Sequence, residues 1–222
     1  MSLRPAVTLK LATSLDGRIA TASGESRWIT GPEARAEVHR IRAAHDAVLI
    51  GAATALTDDP ELTARTDPPP PRQPLRVVID TRLRLAPSSR LAQSVDRGPV
   101  MVIAGRDADR GAKAALDAIG VHVALVPRGL DGVDLDAALA HLAGAGVARL
   151  MVEGGGRVAA SFLTADAVDR LEWFRAPLLL GAQAKPAVAE LAFAALANAP
   201  RFTRLAFREV GSDLWETLER VR

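Results

Sequence analysis

Short apolar runs alternate with stretches of helical periodicity through most of the chain. Strands that alternate with helices predict an α/β domain with a mostly parallel sheet. The predicted strands are Ala6–Ala12, Ala47–Ile50, Leu75–Ile79, Val100–Ile103, Val121–Val126 and Leu150–Val152. The predicted helices cover residues 32–44, 108–119, 134–144 and 156–165.

The pattern changes after Asp169, where apolar runs are separated only by loops. The runs Leu171–Arg175, Phe202–Glu209 and Leu214–Arg220 predict antiparallel strands at one edge of a mixed sheet. An exposed edge strand must be covered or paired, which predicts a homodimer. The stretch Asp67–Pro74 holds five prolines and predicts an extended surface loop, because proline fixes φ and donates no backbone hydrogen bond.

Composition narrows the class of protein. The 222 residues are 49% hydrophobic without a shift in composition, which predicts one domain over residues 1–222. The net charge is +2 and aromatic residues make up 4%, so nucleic acid is not an expected partner. Without a signal peptide or an apolar run of membrane length, a soluble cytoplasmic protein with no membrane partner is expected. The absence of cysteine excludes disulfides, thiolate zinc sites and cysteine nucleophiles.

Residues 8–65 collect turns and charged side chains beyond predicted strand ends, where open α/β sheets bind ligands. Asp16-Gly17 predicts a tight turn, because glycine accepts positive φ and aspartate bonds nearby backbone. Thr30 as N-cap and Glu33 three residues later predict a capping box at the start of the first helix.

Lys10 stands inside an apolar strand of a chain in which lysine is rare. The 28 cationic residues include three lysines, which leaves 25 arginines. Leu9 and Leu11 share one face of the strand, so Lys10 is expected on the other face with Thr8 and Ala12. Two interpretations remain open: a lysine at a sheet edge that reaches solvent, or a proton-transfer group tuned by burial and by a carboxylate such as Asp58.

A glycine run, Glu153-Gly154-Gly155-Gly156, separates a predicted strand from a predicted helix. Glycines here let the backbone and the helix N-terminus bind a phosphate, most naturally a pyrophosphate. The spacing is not the dinucleotide fingerprint, so phosphate binding and plain turn structure are about equally favoured. Glu153 either binds a substrate hydroxyl or ring N–H, or caps the helix.

Two arginines and a serine are candidates for binding a phosphomonoester. Arg42, Arg65 and Ser26 are each typical of a solvated surface when taken alone, but together they supply two guanidinium groups and a hydroxyl. Asp58-Asp59-Pro60 is interpreted as a turn with ligand hydrogen bonds, because adjacent carboxylates point apart and a third metal ligand is not evident.

Five motifs follow one another in a specific order along the chain. They read LKLATSLDGRIATASGESRWITG, HRIRAAHDAVLIGAAT, DDPELTAR, VVIDTRLRL and MVEGGGRVAASFL. This series resembles the reductase domain of the bacterial bifunctional riboflavin biosynthesis protein, in the dihydrofolate reductase-like superfamily. The resemblance is close over residues 7–65 and 150–163 and looser over residues 82–148.

The resemblance implies a three-layer fold with helices on both faces of the sheet, and NADPH as cofactor. The implied reaction reduces 5-amino-6-(5-phosphoribosylamino)uracil to 5-amino-6-(5-phosphoribitylamino)uracil in riboflavin biosynthesis. The implied substrate contacts are Ser26, Arg42, Leu62, Arg65 and Glu153. The implied cofactor contacts are Ala12, Trp28, Thr54, Asp58, Thr81, Gly155, Gly156, Arg157, Val158, Ala159, Ala160 and Ser161.

The implied chemistry needs a proton donor and no metal. The ribosylamine opens to an imine that accepts a hydride at carbon and a proton at nitrogen, and Lys10, assisted by Asp58 or Glu153, is the candidate catalytic group. Trp28 is interpreted as a wall beside the cofactor or, alternatively, as a tryptophan packed at a helix entrance. NADPH rather than NADH rests on the resemblance, with Arg82 or Arg106 as candidates for the 2′-phosphate.

Two departures from the family pattern stand out. The cysteine-bearing deaminase signature is absent, so deamination is not expected. The family motif Ala-Pro-Lys-Leu-Leu-Gly reads Ala176-Pro177-Leu178-Leu179-Leu180-Gly181, without its lysine. Two alternatives to the implied function remain: a reductase of the same fold for another pyrimidine or a pterin, and a non-catalytic nucleotide-binding paralogue.

Overall fold

The computed structural model describes residues 4–222, which divide into two compact units. The first unit comprises residues 4–6 and 39–151, and the second comprises residues 7–38 and 152–222. Each unit combines strands with helices, as the alternating sequence pattern predicts. The assignment of residues 1–222 to one domain stays a prediction. Within residues 4–222, no helix has both the length and the apolar character needed to cross a membrane.

The elements follow the predicted order with few additions. They are β1 (Ala6–Thr13), β2 (Arg18–Ala20), α1 (Pro32–Ala43), β3 (Ala47–Gly51), α2 (Ala52–Asp58), β4 (Leu75–Ile79), β5 (Val100–Gly105), α3 (Arg110–Asp117), β6 (His122–Val126), α4 (Leu135–Gly144), β7 (Arg149–Glu153), α5 (Gly156–Thr164), β8 (Arg170–Arg175), β9 (Lys185–Pro186), β10 (Phe202–Val210) and β11 (Asp213–Arg220). Short 3₁₀ helices cover Ala92–Arg97 and Leu196–Asn198.

The first unit is built on parallel strands in the order β3-β4-β5-β6. All residues of β3 and β5 are buried, because the continuous apolar runs leave no polar face. Helices α3 and α4 begin at N-caps, Asp109 and Asp134, whose side chains accept the N–H groups of Ala112 and Ala137. The parallel sheet predicted for this part of the chain is confirmed.

The second unit combines parallel and antiparallel pairing. Strand β1 pairs with β8 in parallel, while β8 with β11 and β11 with β10 are antiparallel. Leu9, Phe162 and Phe174 are fully buried, and the Phe174 ring stacks on Trp215 at a centroid distance of 4.9 Å. The prediction of a mixed, mostly parallel α/β fold with antiparallel strands near the C-terminus is therefore confirmed.

One local prediction needs correction, and one helix was not predicted. The first helix begins at Pro32, and the backbone N–H of Arg35 donates to the carbonyl of Gly31. Gly31 rather than Thr30 therefore precedes the helix. The Gly31 N–H donates to Asp213 Oδ2 at 2.6 Å, a contact 182 residues apart that no local pattern could indicate. Helix α2 was not predicted; it has seven residues, and Gly51 before it offers no side-chain cap.

The turn at Asp16-Gly17 is tied to the loop that follows β8. Gly17 has φ +73°, as the turn requires. The Asp16 carboxylate accepts the Ser14 hydroxyl at 2.6 Å and the N–H groups of Leu180 and Gly181 at 3.1 and 2.7 Å. These donors, Ser14 above all, lower the pKa of Asp16 to about 2.

We expect Asp16→Asn to lower the melting temperature at neutral pH but not near pH 2. The pKa of Asp16 is about 4 in an unfolded chain and about 2 in the fold, so its stabilisation is complete above about pH 4 and is lost as the pH falls through 2. Thermal unfolding followed by circular dichroism across this range measures the difference. Asp131→Asn, at an exposed loop position, is the control. An Asp16→Asn deficit of equal size at every pH would contradict this account.

Candidate functional site

Lys10 lies in the middle of β1, where burial alternates from Leu9 to Thr13. Leu9 and Leu11 are buried, whereas Lys10 and Ala12 are partly exposed, as the sequence pattern predicts. Thr8, expected on the same face as Lys10, is buried, because residues 7–9 of the strand all lie in the core. The Lys10 ammonium lies 5.9 Å from the centre of the Phe174 ring on β8, within the range of a cation–π attraction. Lys10 is therefore neither a core residue nor a fully solvated one.

A buried carboxylate missed by the sequence analysis lies in register with Lys10. Glu172 on β8 is 3% exposed and is the cross-strand partner of Lys10. Its carboxylate accepts hydrogen bonds from Arg170 Nε and Trp215 Nε1, both at 2.6 Å, and from Thr217 Oγ1 at 2.7 Å. A glutamate in the middle of an apolar strand was the signal for this network, because a buried charge requires such partners.

The glycine run after β7 contains three different backbone requirements. Glu153 ends the strand and is buried. Gly154 and Gly155 have φ of +73° and +87°, in the region that favours glycine. Gly156 opens α5, and a Cβ there would lie 2.8 Å from the carbonyl oxygen of Pro186. Each of the three glycines is therefore favoured by the backbone: Gly154 and Gly155 by their positive φ, and Gly156 by its close contact with Pro186.

The start of α5 has no side-chain cap. Gly155 precedes the helix and provides no side-chain cap, so the first backbone N–H groups remain at the positive end of the helix dipole. Ala159 and Ala160 are buried, whereas Arg157 and Ser161 are exposed. Of the side chains predicted to contact a cofactor in this range, those of Ala159 and Ala160 are therefore inaccessible, and their predicted contacts stay predictions. The Ser161 hydroxyl donates to the Arg157 carbonyl at 3.0 Å.

Ser26 and Trp28 lie in the segment before α1. Ser26 is partly exposed, and Trp28 is 69% exposed with the Arg35 guanidinium 4.3 Å from its ring centre. Trp28, Arg35 and Asp213 border a cavity of about 430 Å³ within the second unit. Trp28 is therefore not a core residue, and its role beside the cofactor stays a prediction.

In the first unit, one irregular segment, residues 59–65, contains two predicted substrate residues, Leu62 and Arg65, and is contacted by a third, Arg42. The Arg42 guanidinium donates to the Thr63 carbonyl at 3.1 Å, and the Arg65 N–H donates to His39 Nδ1 at 3.2 Å. Leu62 is buried and has φ +59°, a left-handed conformation that costs a non-glycine residue about 1 kcal/mol or more. Such strain persists only where the surroundings hold it.

Thr54, Asp58 and Thr81, the predicted cofactor contacts of the first unit, follow neighbouring parallel strands. Thr54 and Asp58 are four residues apart on α2, directly after β3, and therefore share one helix face. Thr81 follows β4; its hydroxyl accepts the Val133 N–H at 3.1 Å. The turn predicted at Asp58-Asp59 is the end of α2, with Asp59 at φ +39°. Residues 4–222 contain no cluster of three or more side chains suited to a metal ion.

Comparisons with known proteins agree on one family. A family model for the RibD C-terminal domain matches residues 5–215. The chain is 33% identical over 211 residues to the riboflavin biosynthesis protein RibD of Bacillus amyloliquefaciens, covering 95% of this chain and 56% of that protein. It is 38% identical over 180 residues to the 2,5-diamino-6-ribosylamino-4(3H)-pyrimidinone 5′-phosphate reductase of Methanothermobacter thermautotrophicus, covering 81% of each.

A solved structure of Acinetobacter baumannii RibD has the same fold. It superimposes with a TM-score of 0.86 at 29% identity, covering 99% of this chain and 59% of that one. The chain thus spans a little over half the length of the RibD proteins from Bacillus and Acinetobacter.

We expect Gly156→Ala to destabilise the protein by about 1–3 kcal/mol, because the added Cβ meets the backbone of Pro186 at 2.8 Å. Gly144→Ala is the matched control, since a Cβ at Gly144 meets nothing within 4 Å. Urea unfolding of both variants measures the difference. Equal stability of the two variants would show that the backbone around Gly156 is not closely packed.

Proposed function

The chain belongs to the family of RibD C-terminal domains, and from this premise we propose that it is an NADPH-dependent reductase of a phosphorylated ribosylaminopyrimidine in riboflavin biosynthesis. The observation that carries the proposal is in the second unit. A partly exposed lysine, Lys10, and a glycine-rich helix start, Gly154–Gly156, occur there together. They provide a proton donor and a pyrophosphate site.

Two substrates fit the proposal, and they differ only in the pyrimidine ring. The family motifs favour 5-amino-6-(5-phosphoribosylamino)uracil. The archaeal relative, which matches over 81% of both chains, is named for the 2,5-diamino pyrimidinone, and this favours the second substrate. Both carry the phosphorylated ribosylamine for which Ser26, Arg42 and Arg65 are the proposed ligands, because guanidinium forks match phosphate oxygens.

The proposed cofactor site follows from the glycine run and the strand ends. Backbone N–H groups from Gly155 to Ser161 bind the pyrophosphate, with Ala12, Trp28, Thr54, Asp58 and Thr81 as further contacts by family motif. Arg82 and Arg106 follow β4 and β5 and are the proposed ligands of the 2′-phosphate that distinguishes NADPH from NADH. NADPH supplies the hydride when bound.

The proposed task of the protein side chains is to open the sugar and place a proton. Opening the ribosylamine forms a carbon–nitrogen double bond at C1′. The double bond is reduced when C1′ receives the hydride and the nitrogen receives a proton, so one hydride and one proton complete the ribitylamine. Lys10 is the proposed proton donor, and Glu153 orients the substrate.

We also propose that the protein is a homodimer that pairs through β10. This strand is the last in its sheet, and residues 203–209 are exposed on both faces. Leu205 and Phe207 on this strand are each about half exposed. A twofold axis brings the same edge of two copies together in antiparallel pairing, which covers both apolar side chains and the strand edge.

We expect Phe207→Lys to convert the dimer into a monomer, because a lysine at the centre of the paired edge places two like charges together. Light scattering after size-exclusion chromatography measures the mass. Leu125→Lys is the matched control, since Leu125 is an exposed apolar residue on β6, another terminal strand. A wild-type protein that elutes with the mass of one chain would end the dimer proposal.

We expect Lys10→Ala to lower kcat by about 10²-fold or more, because a positioned proton donor contributes at least this much. Binding of NADPH, followed by fluorescence, stays close to wild type. Steady-state loss of NADPH absorbance with each of the two pyrimidine phosphates gives kcat. Lys113→Ala is the control, since Lys113 forms an exposed ion pair with Asp117 on α3.

Unchanged turnover in Lys10→Ala would remove this lysine from the mechanism. Wild-type turnover of a pterin in place of both pyrimidine phosphates would replace the proposed substrate class. NADH accepted as well as NADPH would remove Arg82 and Arg106 from the cofactor site.

A further inference from the structure

Arg76 on β4 is a fully buried cation with no task in the proposed reaction. Its Nη1 atom donates to the Glu61 carbonyl at 3.0 Å and to Ser94 Oγ at 2.6 Å. Its Nη2 atom donates to the carbonyls of Ser94, at 2.7 Å, and Gly98. The guanidinium therefore satisfies four neutral oxygens, which suits a group that holds backbone in place.

The Glu61 carbonyl lies in the irregular segment 59–65, where the Gln73 side chain holds the next stretch of backbone. The Ala64 N–H donates to Gln73 Oε1 at 2.8 Å, and Gln73 Nε2 donates to the Ala64 carbonyl at 2.9 Å. Arg76 and Gln73 thus bind the backbone on either side of Leu62, the residue in the left-handed conformation.

Gly98 makes room for this arrangement. It has φ +153°, and a Cβ there would lie 2.8 Å from Cβ of Gln73 and 3.8 Å from Nε of Arg76. A side chain at Gly98 would therefore displace Gln73 and with it the pair of hydrogen bonds to Ala64. The positions of Gly98, Gln73 and Arg76, all outside the segment, therefore depend on one another.

We propose that Gln73 and Arg76 are positioning residues, which fix segment 59–65 so that Leu62 and Arg65 are held in their substrate-binding geometry. The inference rests on the proposed function, which makes Arg65 a ligand of the phosphorylated substrate. A segment without helix or strand partners has to lose backbone entropy when it becomes ordered. Hydrogen bonds that order it before the substrate arrives remove this cost from binding, so their loss raises KM and the dissociation constant rather than lowering kcat.

The two residues allow the positioning role to be separated from a structural one. Arg76 also holds the 3₁₀ helix through Ser94 and the chain at Gly98, so its removal affects the core as well. Gln73 is partly exposed, and its side-chain hydrogen bonds described above both go to Ala64. Gln73 is therefore the sharper test, and Arg76 the supporting one.

We expect Gln73→Met to raise KM for the pyrimidine phosphate and the dissociation constant of ribose 5-phosphate about tenfold, because two hydrogen bonds that order the segment are lost. The kcat value and the KM for NADPH stay close to wild type. Gln73→Glu keeps the acceptor for the Ala64 N–H but loses the donor, so its effect is intermediate. Gln93→Met is the matched control, since the Gln93 amide donates to Pro87 at the surface.

Hydrogen exchange gives a readout that does not depend on turnover. In Gln73→Met the amides of Ala64 and Arg65 exchange about tenfold faster or more. The segment opens more easily, because no Gln73 hydrogen bonds have to be broken first. The midpoint of urea unfolding stays close to that of Gln93→Met. We expect Arg76→Met to lower both the exchange protection of segment 59–65 and the midpoint of urea unfolding. Arg76→Lys should restore part of each.

Normal exchange at Ala64 and normal ribose 5-phosphate binding in Gln73→Met would overturn the inference. Faster exchange without any change in KM or in ribose 5-phosphate binding would overturn it as well, because the order of the segment would not matter to the ligand. A wild-type protein that reduces neither pyrimidine, but whose ribose 5-phosphate binding weakens in Gln73→Met, refutes the proposed function and leaves the positioning role standing.

Discussion

Parallel strand pairing is the constraint on which the arrangement of functional residues depends. The carboxyl ends of parallel neighbours lie at one edge of a sheet, and the chain must leave each strand there. In the first unit, α2 follows β3 and Thr81 follows β4, so both sets of predicted cofactor contacts lie at that edge. In the second unit, β1 and β8 are parallel, and the Asp16 turn and the Ala176–Gly181 loop meet beyond their ends.

The irregular backbone at these strand ends is held by side chains. The Asp16 carboxylate binds two N–H groups of the loop after β8, and Gln73 binds both backbone groups of Ala64. Backbone groups without ladder or helix partners require such bonds, because an unsatisfied buried group costs as much as a lost hydrogen bond. Side chains distant in sequence therefore decide the shape of the segments to which substrate and cofactor contacts are assigned.

The periodic features of the sequence predicted the regular elements well. The strand Leu75–Ile79 has the predicted bounds, and helix α1 ends one residue from its predicted end. The β1 alternation around Lys10 was also predictable, since a period of two follows from strand geometry. Short helix α2 was not, because seven residues directly after a strand carry neither a cap nor a full amphipathic repeat.

Long-range polar contacts were out of reach of sequence patterns. Nothing local to Gly31 indicates that Asp213 binds its N–H group. The position of Glu172 in an apolar run indicates that the carboxylate is buried, but it does not identify Trp215 and Thr217 as the hydrogen-bond donors. The proposed roles of Ser26, Arg42 and Arg65 rest on their combination and on the family motifs, because each alone is ordinary as a surface residue. The structure adds that Arg42 also supports the segment that carries Arg65.

In the proposed reaction, a hydride from NADPH reaches C1′ of a phosphorylated ribosylaminopyrimidine on this protein. Incubation with NADPH deuterated at the transferred position, followed by mass spectrometry and NMR of the product, tests it most directly. We expect a ribitylamino product with one deuterium at C1′. A substrate recovered unreduced, or a product that carries no deuterium at C1′, would contradict it.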